Sequence, residues 1–474
     1  MQVYFPFLLS YVIVQTMANE NVKTIGKDYT LRSLIQFTAP AILNEFMINF
    51  LFTIDDGLFI TRYVGTNAES AFSILMPLFM LHGAFSALLG GVSTLVSRKL
   101  GEKKDEEARG DFTAILLVSF VAGILIMLGE YFFKDSLLRL LGATDIIYPY
   151  ARSFLNISCL YVPLTMLGNL FARFYVPAGA PKMELISTMI NVSSNIFFDW
   201  YFVVNRGVGM VGAAYANLIA TTIQVTIGLF FYSSKKAEVG FGTPSGNLVP
   251  LVLESCRYGL STFFANVSVG VGSIISNYSL LYFGNEGYLA AYTIVNNISF
   301  TFMSGFFGLF GASGPLLSYA MGERNKEKLN HLFKIIFIEV TMLIGLTILL
   351  YLVLSKPMAV LFTGQAAADI KDLIDYGLKI APYGFLFFGY NIGARMSLTS
   401  LGNIKSSTFI TVLQEVIFSN LTVVLLPFFF GVKGVWFSFL AGNVLTLIFT
   451  VLVIYLNRDN YGYGKNKIAL MVDR

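Results

Sequence analysis

The sequence predicts an all-α polytopic membrane protein with twelve transmembrane helices in two pseudo-symmetric six-helix bundles around a central cavity. Three observations lead to this prediction: the composition, the apolar segments and an internal repeat. Of 474 residues, 55% are hydrophobic and 13% charged, whereas soluble proteins carry about 25% charged residues. Because so few charges cannot cover a soluble surface, lipid is the expected solvent.

Twelve apolar segments are long enough to cross a bilayer, which takes about 20 residues. Glycines and prolines lie in the turns between them, as expected of residues that interrupt helices. The segments cover residues 31–60, 68–97, 111–133, 149–174, 184–205, 210–232, 250–282, 288–320, 332–354, 376–399, 407–429 and 434–456.

The chain repeats itself at a spacing of about 220 residues. SRKLGEKKDEEA (97–108) returns as SYAMGERNKEKL (318–329), and AGAPK (178–182) returns as LGNIK (401–405). A duplicated bundle of six helices explains this order. Because six is even, both copies have the same orientation, related by an axis along the membrane normal.

The repeat predicts two lobes joined by a polar linker. Met17 opens a polar stretch typical of a cytoplasmic start, so residues 1–16 are interpreted as a start-site extension or an interfacial segment. The predicted parts are a cytoplasmic segment (1–27), the N-lobe with helices one to six (28–232), a cytoplasmic linker (233–249), the C-lobe with helices seven to twelve (250–457) and a cytoplasmic tail (458–474).

Lysines and arginines concentrate in alternate loops, which predicts that both termini lie in the cytoplasm of a multi-pass plasma or inner-membrane protein. The net charge of +4 is attributed to these loops and not to nucleic-acid binding. Two cysteines and two histidines suggest neither a disulfide framework nor a metal cluster. A phosphate-binding loop is also absent from the sequence, so we expect no enzyme and no cofactor.

Helix one carries three acids between its basic ends. Glu45, Asn49 and Asp56 share one helical face, because their separations are close to whole turns, and Asp55 points about 100° away. A carboxylate at bilayer depth costs roughly 2.5 kcal/mol or more and normally marks a site.

Helix five carries a second polar stripe. Asn191, Asn195 and Asp199 recur every four residues and therefore share a face. The repeat gives neither Asp56 nor Asp199 a carboxylate counterpart in the second half, which suggests a cation or proton site in the first bundle. The two asparagines could also be interhelical contacts without a transport role.

Other roles stay open for the acids. Asp55 and Asp56 precede Arg62 near the predicted outer boundary, where one could pair with it at headgroup level. Asp199 lies beside two aromatic residues of the kind found at membrane interfaces.

Three further ionisable residues lie in apolar segments. Glu339 on helix nine and Glu415 on helix eleven are additional candidates for ion coupling, with a structural role equally open. His82 on helix two is interpreted as a packing residue and not as a proton relay.

Several motifs resemble the multidrug and toxic compound extrusion (MATE) transporters over residues 28–457. The most specific is Asn195-x-x-x-Asp199, followed by Gly209-x-x-Gly212-Ala213-Ala214. The others are LVSRKLGEKKDEEA after helix two and ARFYVPAGAPK after helix four.

This resemblance implies that Asp199 takes part in binding Na⁺ or H⁺, with Asp56 as its companion. It also implies that Asn49, Asn195 and Asn217 are polar positions around them. The chain departs from the family in having Trp200 where proline is common, and in having no carboxylate in the middle of helix seven. A Na⁺ site on helix seven is therefore not expected.

The resulting hypothesis is a monomeric antiporter that exports organic cations or amphipathic drugs by alternating access, with Na⁺ or H⁺ as the coupling ion. Asp56 and Asp199 would hold that ion, with Asn195 and Asn49 beside them. One alternative is a lipid-linked saccharide flippase of the same superfamily, for which Arg152, Arg173 and Arg395 are candidate cations. Another is a membrane receptor or assembly factor that transports nothing.

Overall fold

The computed structural model describes residues 25–52, 60, 62–234, 236–244, 246–284, 286–363 and 368–456. These residues form helices and turns, with no strand among them. The α-helices are α1 (Leu31–Phe52), α2 (Thr66–Gly90), α3 (Val92–Gly101), α4 (Asp105–Leu140), α5 (Tyr148–Ser158), α6 (Val162–Phe174), α7 (Pro181–Asp199), α8 (Met210–Ser233), α9 (Leu248–Phe283), α10 (Glu286–Gly322), α11 (Lys326–Thr363), α12 (Ala368–Ser400), α13 (Ile404–Thr411), α14 (Ser419–Phe430) and α15 (Ser438–Leu456).

Several of these helices join into longer helical stretches. The α2 and α3 helices meet at Gly91, and a 3₁₀ turn at Cys159–Tyr161 joins α5 to α6. A π-helical segment at Val412–Phe418 joins α13 to α14. Counted in this way, and with α14 and α15 kept apart at Gly431, where φ is +62°, the described residues form twelve helical stretches, one for each predicted span.

Eight stretches of the described chain are long and apolar enough to cross a membrane. The last of them, Ile404–Leu456, contains both the eleventh and the twelfth predicted span. The first, fifth and tenth predicted spans fall outside these eight, and each carries several polar side chains.

Contacts divide the chain into two compact units. The first contains Met1–Asp28, Leu51–His82 and Asp105–Leu248, and the second contains Tyr29–Phe50, Gly83–Lys104 and Val249–Arg474. The predicted lobes are defined by the sequence repeat, whereas these two units are defined by contacts between residues. The lobe boundaries therefore stay a prediction.

The first unit is held together by a core from α2, α5 and α8. Phe72, Leu75, Phe154 and Ala213 are at least 95% buried in it. The rings of Phe72 and Phe154 meet edge to face, with their centroids 5.5 Å apart, an arrangement that stabilises aromatic pairs beyond the area they bury.

The second unit has a core from α10, α11, α12 and the 3₁₀ segment Gly431–Phe437. Phe302, Tyr351, Phe385 and Trp436 fill it. Gly377 makes room for the indole, since a Cβ there would lie 2.3 Å from Cζ3 of Trp436.

Within the second unit, α9 crosses the junction of α2 and α3 at backbone contact. A Cβ on Gly91 would lie 2.2 Å from the carbonyl oxygen of Ser255. A Cβ on Gly259 would lie 2.4 Å from the carbonyl oxygen of Leu88. Glycine is therefore required on both helices, as in the small-residue contacts of membrane helices.

Candidate functional site

Asp199 is the most deeply buried acid of the predicted site. It ends α7 in the first unit with no exposed surface, and Asn195, one turn earlier, is 6% exposed. Nδ2 of Asn195 has no acceptor among the described residues. Asn191, a turn further back, is only half-buried. The stripe therefore becomes more buried toward its carboxylate.

A π-helical segment, Trp200–Asn205, follows Asp199 directly. Such segments are rare and are frequent at functional sites, because the wider turn changes the direction of the side chains around it. The α8 helix packs closely here, since a Cβ on Gly212 would lie only 3.0 Å from Cβ of Phe202.

The glycine motif has a local physical reason. Gly209 adopts φ +68° as it begins α8, a conformation that side chains disfavour. Ala213 and Ala214 follow with no exposed surface. Asn217, one turn later on α8, is half-buried, and its amide donates to the carbonyl of Ala213 at 3.2 Å.

The candidates on helix one are divided by the limits of the described chain. Glu45 and Asn49 are half-buried on α1 in the second unit, and Nδ2 of Asn49 donates to the carbonyl oxygen of Glu45 at 2.9 Å. Asp55 and Asp56 lie outside the described residues. The pairing of Asp56 with Asp199 therefore stays a prediction.

Glu339 is 4% exposed on α11 in the second unit, where its Oε1 accepts a hydrogen bond from the fully buried hydroxyl of Thr38 on α1. Its Oε2 has no partner in the described part of the chain. The structure thus gives this acid a specific contact that the sequence did not indicate, because Thr38 is 301 residues away.

Glu415 forms an ion pair within the second unit. Its Oε1 lies 3.2 Å from Nη2 of Arg395, and the two side chains are 21% and 3% exposed. Nη1 of Arg395 also donates to the hydroxyl of Thr411 at 3.5 Å. Glu415 lies in the π-helical segment Val412–Phe418. A coupling ion at Glu415 would have to compete with a fixed guanidinium.

His82 pairs with an acid that sequence reasoning overlooked. Nε2 of His82 lies 2.5 Å from Oε1 of Glu130 on α4, and both side chains are more than nine-tenths buried. Glu130 interrupts the apolar run of the third predicted span, which is the same signal that marks the acids of helix one. The buried acids and histidine in the described part of the first unit are therefore His82, Asp111, Glu130 and Asp199.

The comparisons with known proteins agree with this architecture. A family model described as MatE matches residues 40–201 and again residues 262–423. The two matches begin 222 residues apart, close to the repeat spacing seen in the sequence. The duplication therefore has independent support.

Curated relatives match along nearly the whole chain. The Multidrug export protein MepA of Staphylococcus saprophyticus subsp. saprophyticus is 22% identical over 95% of this chain and 99% of its own length. The protein of the same name from Staphylococcus aureus (strain bovine RF122 / ET3-1) is 23% identical over 94% of this chain and 97% of its own length.

Solved structures share the fold. One is described as the outward-facing conformation of a multidrug resistance MATE family transporter of the MOP superfamily; its TM-score is 0.84 at 21% identity, over 93% of this chain and 99% of that chain. Another is a MATE in complex with MaL6; its TM-score is 0.84 at 21% identity, over 93% of this chain and 100% of that chain. The predicted class, an all-α polytopic membrane protein, is confirmed.

Proposed function

We propose that this chain, which belongs to the MatE family, exports organic cations and other amphipathic drugs across a membrane in exchange for H⁺ or Na⁺. The names of its curated relatives support multidrug export. The chain would lie in the plasma or inner membrane with both termini in the cytoplasm. It would function as a monomer, with small molecules as substrates.

One observation carries the coupling part of the proposal. Asp199 has no exposed surface on a helix that lies within a predicted span, and the amide of Asn195 is buried one turn away. An ionised carboxylate in such surroundings is costly. Binding a proton or Na⁺ lowers that cost, so the occupancy of this side chain is tied to how the helices around it are packed.

Coupling needs more than tight binding. An ion shifts a conformational equilibrium only if it binds the two conformations with different affinities. We propose that Asp56 supplies this difference, because two ionised carboxylates that approach in an apolar cavity repel each other unless one is neutralised. Conformations that bring Asp56 and Asp199 together would then bind the ion, and those that separate them would release it. Asn195 would complete the site within the first unit, and the part of Asn49 stays a prediction from the sequence.

The flippase alternative needs cations that can hold a pyrophosphate. Two of its three candidates are ion-paired: Arg395 with Glu415 at 3.2 Å, and Arg152 with Asp135 at 3.1 Å. The pair of Arg395 is buried and leaves its guanidinium less able to bind an anionic substrate, which favours export of cations. The pair of Arg152 is about half exposed and holds that side chain only weakly. A receptor or assembly factor would transport nothing, and the export assay below separates it from both transporters.

The test is ethidium efflux from everted membrane vesicles, with a pH gradient and a Na⁺ gradient imposed separately. Asp199→Asn is expected to lose gradient-driven efflux while reaching the membrane at normal levels. Asp145→Asn removes an exposed acid in the same unit and serves as the matched control. Full export by Asp199→Asn would refute the coupling role, and no export by the wild type under either gradient would refute the function.

A further inference from the structure

A groove of about 1110 Å³ runs along the second unit between α10, α11, α12 and α15. It is defined at one end by Asn330, Lys334 and Ile454, and its walls include Phe337, Tyr390 and Ala394. Since these helices are among the predicted membrane spans, we expect the groove to open toward lipid.

The groove is short enough to fit within one leaflet. On α11 it extends from Asn330 to Val340, which at 1.5 Å per residue is about 15 Å. Half of a bilayer, headgroups included, is about 20 Å thick. The end at Asn330 is the one nearest the turn between α10 and α11, and Leu401 and Ile454, near the ends of α12 and α15, lie at that same end.

Polarity changes along this length. Lys334, the charged residue of the lining, lies with Asn330 at the end nearest the turn. The deeper end is uncharged, and its polar groups, the hydroxyls of Tyr390 and Thr450, have partners in Thr341 and Asn391. Lys334 is the last charged residue before the apolar run 335–354, in which Glu339 is the single charge. Its side chain is exposed, and none of the described acids pairs with it. A lysine at this depth extends its ammonium toward the headgroups.

The groove walls are fixed by their own contacts. The rings of Phe337 and Tyr390 stack with centroids 5.5 Å apart, and the hydroxyls of Tyr390 and Thr341 lie 3.1 Å apart. On the floor, the Phe310 ring approaches Gly393 so closely that a Cβ there would lie 2.7 Å from its Cζ. A preformed apolar channel with one cation at its polar end matches the two parts of a phospholipid.

We propose that this groove binds a phospholipid with an anionic headgroup, from the leaflet nearest the turn between α10 and α11. The phosphate contacts Lys334, and an acyl chain lies between Phe337, Tyr390 and Ala394. Positive residues near a membrane surface favour anionic lipids. The chain's own tail is a poorer occupant, because residues 458–474 contain four basic and two acidic side chains and would bring further positive charge to Lys334.

The first test uses the purified full-length protein in detergent. Phosphatidylglycerol is expected to raise its thermal midpoint more than phosphatidylcholine does. Lys334→Gln should weaken phosphatidylglycerol binding about fivefold, the effect of roughly one lysine at a membrane surface. Lys326→Gln removes an exposed lysine from the same helix outside the groove and should bind as the wild type does. Equal loss in both variants, or loss in neither, would overturn the proposal.

A second measurement does not depend on Lys334. Phe337→Trp places a fluorophore in the groove wall, and brominated phosphatidylglycerol should quench the added fluorescence at lower concentration than brominated phosphatidylcholine. Equal quenching by the two lipids would overturn the anionic preference. Lipid quenching that develops only after deletion of residues 458–474 would show that the tail fills the groove, and would also overturn the proposal.

Discussion

Nε2 of His82 lies 2.5 Å from Oε1 of Glu130, in a part of the first unit where both side chains are more than nine-tenths buried. The pair connects α2 to α4. His82 is the last residue of α2 that belongs to the first unit, and Gly83 belongs to the second. This contact therefore joins α4 to the last residue of the α2 segment that belongs to the first unit.

Replacing either partner by alanine is expected to lower the thermal midpoint of the purified protein. The remaining partner would be a buried ionisable group without its contact, at a cost of about 3 kcal/mol. Since both single variants lose the same contact, the double variant His82→Ala/Glu130→Ala should be more stable than the sum of the two losses predicts. Strict additivity would show that the pair contributes nothing as a pair.

The two partners of the second buried ion pair should respond unequally. Glu415→Ala leaves the Arg395 guanidinium, which is 3% exposed, without its counter-charge, whereas Arg395→Met leaves Glu415, which is 21% exposed and can be hydrated. We therefore expect Glu415→Ala to be the more destabilising of the two, by about 1 kcal/mol or more. Midpoints measured in one detergent decide the order, and the reverse order would contradict the burial argument.

A side chain at Gly91 should be strongly unfavourable. The Cβ of Gly91→Ala would lie 2.2 Å from the backbone oxygen of Ser255, so the crossing of α9 must open, at a cost of about 1–3 kcal/mol. Gly83→Ala on the same helical stretch meets no atom within 4 Å and is the matched control. A Gly91→Ala protein as stable and as active as Gly83→Ala would contradict the packing.

The helical phase of helix one separates its two adjacent acids. The sequence predicts that Asp56 shares a face with Glu45 and Asn49 and that Asp55 does not. We expect Asp56→Asn to reduce gradient-driven efflux at least tenfold and Asp55→Asn to reduce it far less. Efflux from vesicles with matched protein levels measures both. Equal losses would refute the assignment of faces.

Outside the spans, Glu102 provides a pH-dependent contact. Partial burial alone would raise the pKa of Glu102, but the hydrogen bond and charge of Lys104 at 2.9 Å, together with Arg98, outweigh burial and lower it. Because its pKa is lower in the folded state, the stabilisation exists above the ordinary glutamate value and disappears as the pH falls below it. Glu102→Gln should therefore lower the thermal midpoint at neutral pH, and match the wild type in strong acid.

The sequence predicted the helices well because each apolar run is bounded by glycines, prolines or charges. Four-residue spacing also identified the face of α7 that buries Asn195 and Asp199. The contact of Thr38 with Glu339 was not predictable, because it joins residues 301 positions apart. The π-helical segments after Asp199 and around Glu415 were missed because helix propensities do not distinguish a π turn from an α turn.

The crossing of α9 over Gly91 and Gly259 also bears on how quickly this protein can move. Contacts between interdigitated side chains separate only when rotamers change and partners disengage one by one. Here the closest atoms belong to the two backbones, so the helices can part and meet again with few rearrangements. A glycine crossing thus combines a precise distance of approach with a low barrier to separation.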